Sequence, residues 1–333
     1  MPPIMQLAFT ATAEHLTATM AEGLLGAMRE QEQLAKADPR MRALYYWHAV
    51  EEVDVPDAAS VQAFLPPYEP EQRLDPADPV SIGAMVGPEA FTELDAAHAT
   101  GAGRTELILP MLTRANLSGD KAAQDHWSAQ LEQRGGLSPA LADVASDLLL
   151  STGEGGILFT NGDMDGAPAL MLQRLHDQRR DVLLVDQRLL NDMGYRQRIW
   201  KEAKATGPVP AAGPAFARAL STATERPVFL ALSLDRSWFD AFPEGLYTSG
   251  IAFAVGGTPP DGRSLAERWD RMKKTTAAGP LSRNYLLPGS VLLQQYRSNG
   301  DEAHASRLEH ELRGLATRLG ATQDLIKAGV FTH

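Results

Sequence analysis

Apolar residues Ile4, Leu7, Ala8, Ala11, Leu16, Met20, Leu24 and Met28 recur at roughly helical spacing, so the chain is expected to open with a long amphipathic helix. Asp38 followed by Pro39 supplies an N-cap and a proline at the first helical position. Behind it Met41, Leu44, Tyr45, His48 and Glu52 fall on one stripe, and Val55-Pro56 ends the second helix. Residues 65–87 hold the prolines and acids of PPYEPEQ and DPADP without periodicity and read as a long irregular connection. Helices are predicted at 88–98, 105–116, 119–133 and 138–150, which makes the first 150 residues an all-helical region.

The pattern changes at 151–156, where a glycine-rich turn leads into the short apolar run 157–160. A loop of Asn161, Gly162, Asp163, Met164, Asp165 and Gly166 follows, then a helix with Pro168 near its start, then the apolar run 182–185. Strand, loop, helix and strand make a βαβ unit with parallel strands. Runs at 228–233 and 251–255 supply third and fourth strands, with a helix at 214–222 between. From Ser264 onward helices return, marked by Leu265, Trp269 and Met272, by Leu292 and Tyr296, and by Leu308, Leu312, Leu315 and Leu319. The expected fold is α/β: a small, mostly parallel sheet of three or four strands, preceded by an all-helical N-terminal region and followed by a helical hairpin. The corresponding divisions are 1–150, 151–260 and 261–333.

Composition adds exclusions. With 44% hydrophobic and 22% charged residues among 333, the chain has enough apolar side chains for a packed core. A net charge of −11 leaves no basic surplus for nucleic acid, so the expected partner is a small molecule, another protein or a second copy of the chain. The absence of cysteine excludes disulfides, thiolate metal sites and cysteine nucleophiles, leaving His, Asp and Glu to carry any metal. No window reaches the ~18 uninterrupted apolar residues of a membrane span. The N-terminus lacks the basic and apolar regions of a signal peptide, which reads as cytoplasmic, or periplasmic were a leader removed before this start.

In an open parallel sheet the functional crevice lies beyond the carboxyl ends of the strands. Asn161, Asp163 and Asp165 sit just past the first strand, Asp186 past the second, and Ser233 with Asp235 past the third, so these six residues form the candidate ligand site. Asp163 and Asp165 on a glycine-loosened loop suit a hard divalent cation such as Mg²⁺ or Mn²⁺. An aspartate just before a helix with proline in its first turn also suits an N-cap, and that is its commoner use. The string Asp163-Met164-Asp165-Gly166 matches the aspartate motif of haloacid-dehalogenase-type phosphatases superficially. Thr160-Asn161-Gly162 intervene after the strand, however, and no downstream lysine with an acidic pair completes that motif.

A wider set of motifs, GILFTNGDMDGAPAL from Gly156, RDVLLVDQRLLN from Arg180, Tyr195, Arg226-Pro227, and Gln295-Tyr296-Arg297, recurs in order. Over about residues 155–299 the chain thereby resembles the soluble C-terminal region of a family of polytopic bacterial membrane proteins related to protein O-mannosyltransferases. That resemblance implies an accessory module. It does not extend glycosyl transfer to this chain, because the membrane half that carries it has no counterpart here.

Elsewhere, His48 with Glu51 and Glu52, following Tyr45-Tyr46-Trp47, has the one-turn spacing of helical carboxylate-bridged metal sites. Glu14, His15, Glu93 and His98 are further donors, but none repeats the spacing, and the group reads as an ordinary helix with a partly buried histidine. No P-loop, dinucleotide-binding or G-x-S-x-G pattern occurs. Trp238, Phe239, Phe242 and Tyr247 read as aromatic cover for the sheet. Three functions therefore compete: an accessory ligand- or partner-binding module using the 160–166 loop, a metal-dependent enzyme acting on a phosphorylated or glycosylated small molecule through Asp163 and Asp165, and a helical interaction scaffold.

Overall fold

The computed structural model describes residues 105–135, 137–242, 245–256 and 262–331. The helices expected before residue 105 and the 65–87 connection lie outside them. A short 3₁₀ turn, Thr105–Leu107, leads into α1 (Ile108–Ser118), α2 (Lys121–Arg134) and α3 (Pro139–Ser151). Local chemistry sets these starts. Asp120 accepts the Ala123 N–H at 3.0 Å, and Ser138 accepts the Ala140 N–H at 3.2 Å with Pro139 in the first helical position.

The βαβ unit follows as β1 (Ile157–Thr160), α4 (Gly166–His176) and β2 (Leu183–Asp186), with Ile157 opposite Leu183 in parallel register. A 3₁₀ turn (Gln187–Asn191), α5 (Met193–Glu202) and α6 (Pro214–Ala223) carry the chain to β3 (Val228–Ala231), which pairs parallel to β1 on its other side. Beyond α7 (Arg236–Asp240), β4 (Leu246–Thr248) and β5 (Ala252–Val255) form an antiparallel hairpin, and β5 pairs antiparallel with β3. The spatial order is β2-β1-β3-β5-β4. The C-terminal helices are α8 (Gly262–Arg271), α9 (Leu286–Ser298), α10 (Glu302–Arg318) and α11 (Thr322–Lys327), with a 3₁₀ segment, Gly279–Tyr285, before α9.

The sheet thus has five strands rather than three or four, and its last two are antiparallel. β4 is only three residues long, too short for a period-two signal, and its Tyr247 reads from sequence as aromatic cover. The turn back into β5 needs Gly250, whose φ is +69° and whose hydrogen faces Ser151 and Met272, leaving no room for a side chain.

Alternation along the strands sorts the core into two layers. Leu158, Phe229, Ala231 and Ala252 face one way, into a cluster with α1 to α4 and α8 to α11 that runs from Ile108 to Phe331. Ile157, Phe159, Val185, Val228 and Leu230 face the other way, against Tyr195, Ile199, Phe216, Leu220 and Trp238. The aromatic cover expected from sequence is packed here: Phe159 lies 5.5 Å from Trp238, and Phe239 lies edge-on to Phe253 at 5.3 Å.

Two arginines clamp the amino-terminal edge of the sheet. Arg226 donates to the carbonyls of Gly155, Gly156 and Asp181 at 2.5, 3.0 and 2.8 Å. Arg179 donates to the carbonyls of Leu149, Thr152 and Gly153 at 2.8 to 2.9 Å and forks onto Asp181. The Arg179 hydrogen bond, with the Gly155 N–H beside it, holds the Asp181 carboxyl down to about 2. Among the described residues no helix is long and apolar enough to cross a membrane.

Candidate functional site

At the carboxyl edge the chain reverses its winding between β1 and β3, the position where open sheets of this kind leave a crevice. Here side chains bridge it. Asp165, 1% exposed, caps α4 and accepts the Gly166 N–H at 2.7 Å, the Asn161 N–H at 3.0 Å with each oxygen, and the Ser233 hydroxyl. Asn161 in turn donates its side-chain amide to the Ser233 carbonyl at 2.9 Å and accepts from Gln187 at 3.1 Å. Burial pushes the Asp165 carboxyl above the usual carboxylate range, against the pull of the donors around it. The first turn of α4 has its donors engaged as well. Gly166 and Ala167 donate to the Gly162 carbonyl at 2.7 and 2.9 Å, Ala169 donates to the Asp165 carbonyl at 3.2 Å, and Pro168 has no N–H.

A second group lies on the β2 side, around Arg188. Its guanidinium grips Asp186 with Nε at 3.1 Å and Nη2 at 2.7 Å, and Nη2 also reaches Asp163 at 2.8 Å. Burial alone would lower the Arg188 pKa, but Asp163 and Asp186 outweigh it and hold the guanidinium protonated. The two carboxylates therefore share one fixed cation. Asp186 further accepts the Arg188 N–H at 2.9 Å, and its own N–H donates to the Tyr195 hydroxyl at 2.9 Å.

Between α1 and this group lies a cavity of about 20 Å³, lined by Leu112, Asn116, Thr160, Leu170, Leu184 and Arg188, with room for about one water molecule. Of the six residues expected from sequence, Asn161, Asp165 and Ser233 meet directly, while Asp163 and Asp186 meet through Arg188. Asp235 stands apart, exposed, and caps α7 by accepting the Ser237 N–H at 2.8 Å. Arg188, Gln187 and Tyr195 also belong here, although the sequence marked them only as parts of the resemblance motifs and not as site residues. The available signal was an arginine two residues beyond a strand-end aspartate, where one side chain can fold back on the other. Among the described residues no group of three or more His, Asp and Glu side chains is placed to hold a metal ion.

Residues 1–54 match the model of a family described as predicted metal-dependent hydrolase. A 46-residue stretch is 41% identical to pyruvate synthase subunit PorA of Methanothermobacter thermautotrophicus, covering 14% of this chain and 12% of that subunit. No solved structure matches the chain. The resemblance to the O-mannosyltransferase-related family is corrected by this result, since the family model that matches is a different one and lies outside 155–299. The motifs behind that resemblance have local structural work in this fold. Asp181 and Arg226 clamp strand starts, and Asp165 caps a helix, so they mark the junctions of a strand, a loop and a helix rather than a shared activity.

Proposed function

We propose that the chain is a metal-dependent hydrolase whose metal is held by side chains within residues 1–54. One observation supports the reading: the stretch that matches the metal-dependent hydrolase family contains His48 with Glu51 and Glu52 at one-turn spacing, and Glu14 and His15 as further donors of suitable type that do not repeat that spacing. Against the same requirement the strand-end loop is a poorer seat, because Asp165 is occupied by backbone and hydroxyl donors and Asp163 by Arg188. A bound divalent metal supplies a water of lowered pKa and a Lewis acid for a carbonyl or phosphoryl oxygen. A second reading, a ligand- or partner-binding role for the 160–166 loop, is favoured by the small cavity beside Arg188, which Asp186, Thr160 and Asn116 also line.

Metal analysis of the full-length chain, purified without chelator, tests the first reading together with an ester and phosphoester hydrolysis screen in Mg²⁺, Mn²⁺ and Zn²⁺. Bound metal and metal-stimulated turnover are expected, both lost in His48→Ala and Glu51→Gln and both kept in Asp163→Asn. Metal retained in the first two variants and lost in Asp163→Asn would move the site to the strand ends. No metal and no metal-stimulated hydrolysis would end the hydrolase reading.

A further inference from the structure

Arg196, on the first turn of α5, is only 8% exposed. Its Nη1 donates to the carbonyls of Leu190 and, at 3.2 Å, Asn191. Nη2 reaches only the Met193 sulfur at 3.5 Å, and Nε has no acceptor. A thioether is a weak acceptor, so the Nε and Nη2 edge of this guanidinium is nearly unused. The same edge is filled by a carboxylate at three other arginines of this chain: Arg179 on Asp181, Arg188 on Asp186 and Arg313 on Glu309. Among the described residues no carboxylate forms such an ion pair with Arg196, although a buried cation ordinarily has a counter-charge.

Its surroundings favour an anion from outside. Arg196 sits at the amino-terminal end of α5, where the helix dipole is positive. Residues 191–194, where the 3₁₀ segment gives way to α5, are exposed. Met193, which lies over Nη2, is 52% exposed and is the one large apolar side chain exposed to that degree among the described residues. The facing carboxylate, Asp192, is exposed and engaged in capping the Tyr195 N–H at 2.6 Å.

We propose that this edge is an anion-binding site: a carboxylate or phosphate group displaces the Met193 thioether and accepts the Nε and Nη2 hydrogens of Arg196 side by side. The bond given up is weak, and the two gained are charge-assisted and parallel. Met193 is the cover, and it is already about half exposed to solvent.

The test follows arginine Nε–H resonances of the ¹⁵N-labelled full-length chain during titration with inorganic phosphate and, separately, with acetate, at ionic strength held constant with chloride. One Nε–H resonance is expected to shift saturably, and the anion that saturates at the lower concentration identifies the ligand as phosphate-bearing or carboxylate-bearing. Arg196→Lys, which keeps the charge but loses the fork, is expected to bind at least about tenfold more weakly. Met193→Ala, which changes only an exposed side chain, is expected to bind several-fold more tightly. No saturable shift in either the wild type or Met193→Ala overturns the proposal, as does an undiminished affinity in Arg196→Lys.

Discussion

At the scale of single residues, the strand-end site depends on a position that carries no side chain. Gly162 has φ +109°, outside the range other residues adopt readily, and a Cβ there would overlap the Arg188 guanidinium. Gly162→Ala is therefore expected to strain the loop and push Arg188 off Asp163, at a cost of about 1–3 kcal/mol. At ~2–4 °C per kcal/mol for a protein of this size, a thermal melt reads that cost directly. Melting unchanged within 1 °C or so would mean that the loop relaxes freely. The sequence exposed half of this arrangement. The aspartates, the glycines and the strand end are visible in order, and Asp165 as a cap follows from Pro168 behind it. The Arg188 contact was not visible, because folding back on Asp163 from 25 positions downstream depends on how β2 lies beside β1, which is a tertiary fact.

At the scale of elements, α3 receives the segment that follows α8 through one carboxylate. Asp147 accepts the Lys273 N–H at 2.9 Å, the Lys274 N–H at 3.2 Å and the Tyr285 hydroxyl at 2.8 Å, with Lys273 also reaching Asp143. Burial raises the Asp147 pKa against these donors, and burial with the neighbouring Asp147 charge raises that of Tyr285. A carboxyl raised in the folded state holds its proton longer than the unfolded chain does, so its contribution to stability is largest in acid and falls as pH rises from about 4 through the folded pKa. Asp147→Asn is uncharged throughout, so its melting deficit relative to wild type is expected to be larger at pH 4 than at pH 7; an unchanging or growing deficit would contradict the raised pKa. The helices on either side of this contact were legible from their periodicity and caps, as were β1, β2 and β3 from their continuous apolar runs. β4 was not, since three residues at a sheet edge leave no pattern to read.

At the scale of the whole molecule, acid acts on the fold with opposite signs at its two ends. Asp165 at the carboxyl edge is raised by burial, as Asp147 is, whereas Asp181 in the arginine clamp at the amino edge is lowered to about 2. The Asp181 contribution is complete above the unfolded value near 4 and is lost as pH falls toward 2. Asp181→Asn is accordingly expected to melt below wild type at pH 7 and to converge with it near pH 2, in contrast to Asp147→Asn; a gap that persists near pH 2 would show that the carboxylate charge is not what ties the clamp. Much of the order of secondary structure was readable from sequence, α5, α7, α11 and β4 excepted, but the closure of the switch point was not, because it joins Asp165 to Ser233 across 68 positions. The Asp147 contact spans further still, with Tyr285 lying 138 residues downstream. During synthesis at about 5–20 residues per second, α3 leaves the ribosome roughly 7–28 s before the hydroxyl that completes its polar contact exists. Over that interval the helical layer is a nascent surface without its cover, so this protein's exposure to chaperones is set by the order in which its chain is made.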